Sequence, residues 1–330
     1  MSRTRTRRSL TVGALCALAV SGVLSPAQAA EKPRYAPEHD DFLSAFAATL
    51  FPLSGKADAS PPGANTDPAK PCLPGADPTR HPRPVVLIHG TWENAYDNWN
   101  AMAPALANEG YCVYAINFGA TGSPFNTFGF KATGRIEDSA RELAVFVDRV
   151  LRTTGAAKVD LVGHSQGAGS MPIRYLKSHN GGTKVNRLVG INPATHGTTL
   201  NGLDKLAKVF SGAPAATLLG PVLAQQLTGS DFLAELNSTP DTTPGVRYTV
   251  LATQYDQVVT PYTSGYLTAP ADDPKAVDNV LIQKVCPTDK SSHTDSSYSP
   301  NVINMTLDAL DPAHRGSWQC RAVTPLVPLP

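Results

Sequence analysis

Val159-Asp160-Leu161-Val162-Gly163-His164-Ser165-Gln166-Gly167-Ala168-Gly169-Ser170-Met171 is the stretch whose reading decides the fold. Strand-forming residues stop at Gly163-His164-Ser165-Gln166-Gly167, and small, helix-tolerant residues follow. That is the layout of a nucleophile elbow, a sharp strand-to-helix turn that pushes a serine hydroxyl out above a parallel sheet. The glycines two before and two after Ser165 have a steric reason, because side chains there would collide as the chain reverses. A G-x-S-x-G pattern also arises by accident, so the flanking chain must supply the context.

On both sides of the elbow, short apolar runs alternate with helical patterns. The runs at 85–88, 112–118, 158–162, 185–191, 247–252 and 279–285 read as strands, and those at 99–108, 136–153, the elbow helix to 178, and 302–310 as helices. Near-continuous apolar strands alternating with amphipathic helices predict a mostly parallel, doubly wound α/β sheet with helices on both faces. After Asn192-Pro193 the alternation breaks, and residues 197–240 read as helices at 200–210, 215–227 and 231–236, a helical cap or lid-like insertion near the site. Ahead of the sheet, Asp40 and Asp41 precede Phe42, Leu43, Phe46 and Leu50 at helical spacing. A Pro- and Gly-rich arm then runs to residue 84. The expected organisation is a signal at 1–29, an N-terminal helix and arm at 30–84, and one catalytic domain at 85–330.

A serine hydroxyl needs a base within hydrogen-bond reach, and the base needs a carboxylate to orient it. In this layout they follow in the order Ser, acid, His, on turns after later strands. Asp256 stands just beyond the run at 247–252 and is the expected acid, with Asp231 and Asp278 as rivals. His293 lies in the polar loop before the last helix and is the expected base; His314, beyond that helix, is its rival. His164 is expected to pack or hydrogen-bond beneath the turn. A tetrahedral intermediate needs preorganised N–H donors. The backbone N–H of Gln166 supplies one, and the loop His89-Gly90-Thr91-Trp92 the other. There Thr91 is the choice, its hydroxyl a potential extra donor, and Trp92 the second.

Together, Val86-Leu87-Ile88-His89-Gly90-Thr91-Trp92 with Asn98 and Trp99, Gly110-Tyr111-Cys112-Val113-Tyr114, the elbow, Gln254-Tyr255-Asp256-Gln257-Val258-Val259-Thr260-Pro261 and His293 form five blocks in order. They resemble the secreted lipases and esterases of actinobacteria, within the α/β-hydrolase superfamily, from about Cys72 to Cys320. The resemblance implies an ester substrate, often an acylglycerol, and no organic cofactor. It also supports Ser165, Asp256 and His293 as triad, with the Thr91 and Gln166 backbones as oxyanion donors. The N-terminal helix and arm lie outside the strongest match, and residues 197–240 are loosely matched. Phe125, Phe128, Phe130 and the insertion's apolar faces are open to an acyl-chain role or to core packing. A polyester hydrolase or an acyltransferase would use the same triad, and a binding protein on a dead scaffold would fail to label at Ser165.

The chain starts with Arg3, Arg5, Arg7 and Arg8, continues through an apolar run from Leu10 to Leu24, and reaches Ala27-Gln28-Ala29. This reads as a secretory signal cut after Ala29, with Arg7-Arg8 a hint of twin-arginine export. Taking its four arginines from the 28 basic residues leaves 24 against 27 acidic ones, a net charge near −3. Such a charge carries no footprint for nucleic acid. Cys16 leaves with the signal, and Cys72, Cys112, Cys286 and Cys320 remain. An even number in an oxidising compartment predicts two disulfides. Of the three possible pairings the sequence-local ones, Cys72–Cys112 and Cys286–Cys320, are expected. No C-x-x-C spacing favours zinc. A secreted monomer without a metal or membrane anchor, meeting its ester or lipid substrate in solution or at an interface, is the expectation.

Overall fold

The computed structural model describes residues 1, 34–50, 55–121, 123–202 and 219–326. The chain divides into two units, Met1–Lys32 and Pro33–Pro330, and only Met1 of the first is among the described residues. The expected export signal therefore lies outside them, and every described helix and strand belongs to the second unit.

Six parallel strands form the sheet: β1 (Val85–Ile88), β2 (Val113–Ile116), β3 (Val159–His164), β4 (Val185–Ile191), β5 (Arg247–Ala252) and β6 (Val277–Leu281). Their spatial order is β2-β1-β3-β4-β5-β6, every neighbouring pair parallel. The helices are α1 (Phe42–Thr49), α2 (Ala95–Trp99), α3 (Met102–Asn108), α4 (Ile136–Thr154), α5 (Ser170–Ser178), α6 (Gly181–Lys184), α7 (Val222–Gln226), α8 (Asp231–Leu236), α9 (Ile282–Val285) and α10 (Pro300–Leu310).

Alternate strand residues feed two separate cores. Val86 and Ile88 of β1 join α4, α5 and α8 through Leu143, Val147, Met171, Ile173 and Phe232, whereas Val85 and Leu87 join α2, α3 and α10 through Trp99, Met102, Leu106 and Val302. Both faces of the sheet are thus covered, which is why its strands read as unbroken apolar runs. On α4 the inward stripe is Ile136, Ala140, Leu143, Phe146, Val147 and Val150. Each large side chain so buried stabilises by about 1.5–3 kcal/mol. Gly155 closes this helix in the left-handed region at φ +70°.

Chain order reverses between β1 and β3, which are adjacent in the sheet. Loops leaving the carboxyl ends of those strands diverge to opposite faces and open a crevice there, the usual ligand position in such sheets. The elbow follows β3 and the Gly90 loop follows β1.

Several boundaries differ from expectation. The helix expected at 99–108 is two, α2 and α3, parted at Asn100, whose Oδ1 accepts from the Glu38 and His39 N–H groups at 2.7 and 2.9 Å. The strand expected at 279–285 lies at Val277–Leu281, and its last apolar residues turn into α9 instead. Pairing with β5 stops at Ala252–Leu281, and Ile282 turns into the second core. Of the insertion, α8 matches, α7 is the described part of the second expected helix, and residues 203–218 lie outside the description. α1 starts where expected, capped by Asp41, which accepts from the Ser44 N–H at 2.9 Å. Both disulfides, Cys72–Cys112 and Cys286–Cys320, are formed. Among the described residues no helix is long and apolar enough to cross a membrane.

Candidate active site

The elbow is built by steric exclusion. A Cβ on Gly163 would sit 1.8 Å from the Gly167 carbonyl oxygen, and one on Gly167 would sit 2.3 Å from that of Ile88. Neither position admits a side chain, so both glycines are required by the fold rather than by chemistry. Ser165 itself is held at φ +55°. A left-handed backbone costs a non-glycine residue about 1–2 kcal/mol. Here that conformation is secured by three N–H groups, of Ala168, Gly169 and Ala194, donating to the Ser165 carbonyl at 3.0, 3.1 and 3.3 Å.

His293 and Asp256 arrive from two later loops and meet. His293 Nδ1 lies 2.8 Å from Asp256 Oδ2, with both side chains buried. The other Asp256 oxygen accepts from the Val258 and Val259 N–H groups at 2.8 and 2.7 Å, which fixes the carboxylate's direction. The His293 loop is held by buried polar groups: Asp289 accepts from the Ser291, Ser299 and Asn301 side chains, and Ser292 is bonded to Asp295. Among the described residues no hydrogen bond joins Ser165 to His293. The rivals do not converge here: His314 pairs with Asp308 at 2.6 Å, Asp231 starts α8 and Asp278 lies on β6.

His164 ties the separate loops together. Its Nε2 lies 2.8 Å from the His293 carbonyl oxygen, and its Nδ1 lies 2.9 Å from Glu93 Oε2. The same Glu93 oxygen accepts from the Gly90 N–H at 2.8 Å. Burial by itself pushes the Glu93 carboxyl up, but the His164 charge, its hydrogen bond and the Gly90 N–H outweigh it, and the net shift is downward. Burial likewise pushes the His164 imidazole down, and Glu93 reverses this to a net upward shift. Glu93 and the His293 carbonyl thus sit against the two ring nitrogens of His164, and the Asn98 side-chain amide lies 3.1 Å from Nδ1 as well. Its neighbour His89 contrasts with it. Burial lowers His89 to about 4, leaving it neutral as it stacks on Phe118 with ring centroids 4.5 Å apart.

The two expected oxyanion donors are linked through their side chains. Thr91 Oγ1 donates to Gln166 Oε1 at 2.8 Å, and accepts from Gln226 Nε2 at 2.8 Å. The hydroxyl read from sequence as an extra donor is therefore already engaged. Trp92, the second choice, spends its backbone N–H on the Lys131 carbonyl at 3.0 Å. Among the described residues, the Thr91 and Gln166 backbone N–H groups have no such partner. Gly90 lets this loop come close, since a Cβ there would lie 3.1 Å from Ser165 Cβ. Phe130, half-buried, packs edge-on against Phe46 with ring centroids 5.6 Å apart.

Three participants escape the sequence reading. Glu93 and Gln226 find partners 71 and 135 residues away. Asn192, which follows β4, donates from its Nδ2 to the His293 carbonyl at 3.2 Å and accepts from the Thr253 N–H at 3.0 Å. The only signal for it was the Asn192-Pro193 break, and for Gln226 the adjacent amides of Gln225-Gln226.

Known proteins match parts of this chain. The chain is 33% identical over 138 residues to a triacylglycerol lipase of Burkholderia plantarii, covering 40% of this chain and 34% of that one. To a triacylglycerol lipase of Pseudarthrobacter phenanthrenivorans it is 34% identical over 98 residues, covering 28% of this chain and 27% of the relative. It thus spans about a third of the length of the curated relatives it matches. The crystal structure of Aspergillus fumigatus lipase B superposes with a TM-score of 0.57 at 20% identity, covering 80% of this chain and 59% of that one, a likeness of fold alone. With its parallel sheet and two helical faces, the architecture is that of an α/β-hydrolase. The family model described as Lipase (class 2) matches residues 82–295, a span that takes in the Gly90 loop, the elbow, the Asp256 loop and His293. With about two thirds of its length in that match, the chain belongs to the class 2 lipase family.

Proposed function

We propose that this protein is a secreted hydrolase of carboxylic esters, with acylglycerols as its substrate class, acting through Ser165, His293 and Asp256. The observation that carries this reading is the His293–Asp256 pair, bonded at 2.8 Å and anchored by its own backbone to the residue before Ser165. In this reading His293 Nε2 takes the Ser165 proton as Oγ attacks the ester carbonyl, and Asp256 steadies the imidazolium. The carbonyl electron pair becomes an oxyanion that accepts from the Thr91 and Gln166 N–H groups. Collapse of the intermediate breaks the ester C–O bond, His293 returns the proton to the departing alcohol, and water then releases the acyl group by the same steps. Triacylglycerol lipases among the relatives support the substrate class.

Two disulfides support export, with residues 1–29 as the cleaved signal. Residues 30–84 then precede a catalytic domain at 85–330, and the described residues 219–226 of the insertion stand against the Thr91–Trp92 loop. Ser165→Ala tests the proposal: p-nitrophenyl ester hydrolysis and fluorophosphonate labelling should both vanish while the thermal midpoint holds. Near-normal turnover in the folded variant would overturn it.

A further inference from the structure

We infer that Gln226, at the end of α7, is a positioning residue for the oxyanion site, so that the seating of α7 sets the rate of acyl transfer. The inference rests on the reading of Ser165 as nucleophile and goes beyond it, because it assigns a catalytic consequence to a segment that contributes none of the triad.

Gln226 ends α7 and is 7% exposed. Its Nε2 donates to Thr91 Oγ1, and that hydroxyl donates onward to Gln166 Oε1, each at 2.8 Å. This makes a directed chain of three side chains, and its last two members are the residues whose backbone N–H groups face the developing oxyanion. A threonine hydroxyl has one proton and can rotate. With a donor fixed on one side, the proton is sent to Gln166, and the two backbone segments are cross-linked across the cleft. Without Gln226 the hydroxyl is free to turn, and the spacing of the two N–H groups rests on the Thr91–Gln166 contact alone.

The neighbouring glutamine shows a separate task. Gln225 accepts from the Ile136 N–H and donates to Glu137, both contacts at the start of α4, so it seats α7 on the body of the protein. A second tie reinforces the coupling: the Trp92 indole N–H donates to the Leu219 carbonyl at 2.9 Å. Gly220 follows at φ +89°, where a Cβ would lie 2.2 Å from the Thr133 carbonyl oxygen. The insertion is thus seated by Gln225 and by close backbone packing at Gly220, and its one side-chain hydrogen bond to the expected oxyanion pair, among the described residues, is made by Gln226.

Gln226→Met, which keeps the length and removes the amide, tests the assignment beside Thr91→Val and the double variant. Turnover of a short soluble p-nitrophenyl ester and inhibition by an alkylboronic acid, whose tetrahedral adduct on Ser165 places an oxygen at the oxyanion site, are the measurements. Loss of a direct oxyanion donor costs about 10²- to 10³-fold. A residue acting through that donor should lower kcat by about 10- to 100-fold. KM should stay within about threefold, because ground-state binding is untouched. Boronate affinity should fall in step with kcat, and the double variant should be no worse than the poorer single one. An unchanged kcat, a loss confined to KM, or additive losses would overturn the assignment. Should Gln226→Met not fold, Gln226→Glu keeps the shape but can only accept, and the same loss of kcat is expected; unfolding of both would make Gln226 a folding residue and end the proposal. Turnover by Ser165→Ala would sink the reading of the whole site, whereas an inactive Ser165→Ala beside a fully active Gln226→Met sinks only the role of Gln226.

Discussion

His293 with Asp256 and His164 with Glu93 are two buried histidine–carboxylate pairs whose imidazole rings lie 4.9 Å apart. Each has Nδ1 close to a carboxylate oxygen, at 2.8 and 2.9 Å. The difference lies at Nε2. In His164 it is consumed by the His293 carbonyl, and in His293 it has no partner among the described residues. A histidine with both nitrogens engaged is a strut, and one with a nitrogen to spare can move a proton. Burial and a carboxylate partner are common to both and do not distinguish a base from a brace.

Three measurements would break or sharpen this comparison. The largest effect is expected for His293→Ala, which should lower kcat by about 10⁵-fold or more with the fold intact; retention of activity would move the base to His164. Asp256→Asn should cost about 10⁴-fold, since an amide favours the wrong tautomer of the base. Glu93→Gln should act chiefly on stability, lowering the free energy of unfolding in urea by about 3 kcal/mol because one partner of a buried, hydrogen-bonded pair is removed. Its loss of activity should be smaller than that of Asp256→Asn. Should the order of those two activities reverse, the strut and the base have been confused.

The same variant carries a pH signature. Glu93 titrates below its ordinary 4.5 in the folded chain, so its contribution is present above 4.5 and is lost as pH falls through the lowered folded value. His164 titrates above its ordinary 6.5, so its contribution is full below 6.5 and is lost as pH rises through the raised folded value. The pair therefore stabilises most between these two ordinary values, and Glu93→Gln should flatten unfolding free energy on both flanks of that window.

Much of the molecule could be read locally. β1, β4 and β5 stand where their apolar runs stand, and α4 follows its stripe of Ile136, Leu143, Val147 and Val150. The elbow was legible because its two glycines and its serine stand within five residues, Gly163 to Gly167, even though the demand on Gly167 comes from Ile88 of β1. The end of β6 was not, since Leu281 and Ile282 are equally apolar and only the limit of pairing with β5 separates strand from helix. Glu93 and Gln226 were hidden for another reason. Each is an ordinary polar residue in its own neighbourhood, and its task exists only once a partner 71 or 135 residues away has folded against it. The asymmetry is physical: local patterns record burial and turn geometry, whereas braces between loops record tertiary closure.

The indole of Trp92 gives the insertion an optical signature. Of the three tryptophans, Trp99 is fully buried beneath the sheet and Trp318 is bonded to Asp308, far along the chain from this region. Only Trp92 reaches out to residues 219–226, through its bond to the Leu219 carbonyl. Indole emission responds to hydrogen bonding and to water, so the intrinsic fluorescence of the unlabelled protein doubles as a gauge of whether residues 219–226 stay seated against the loop after β1.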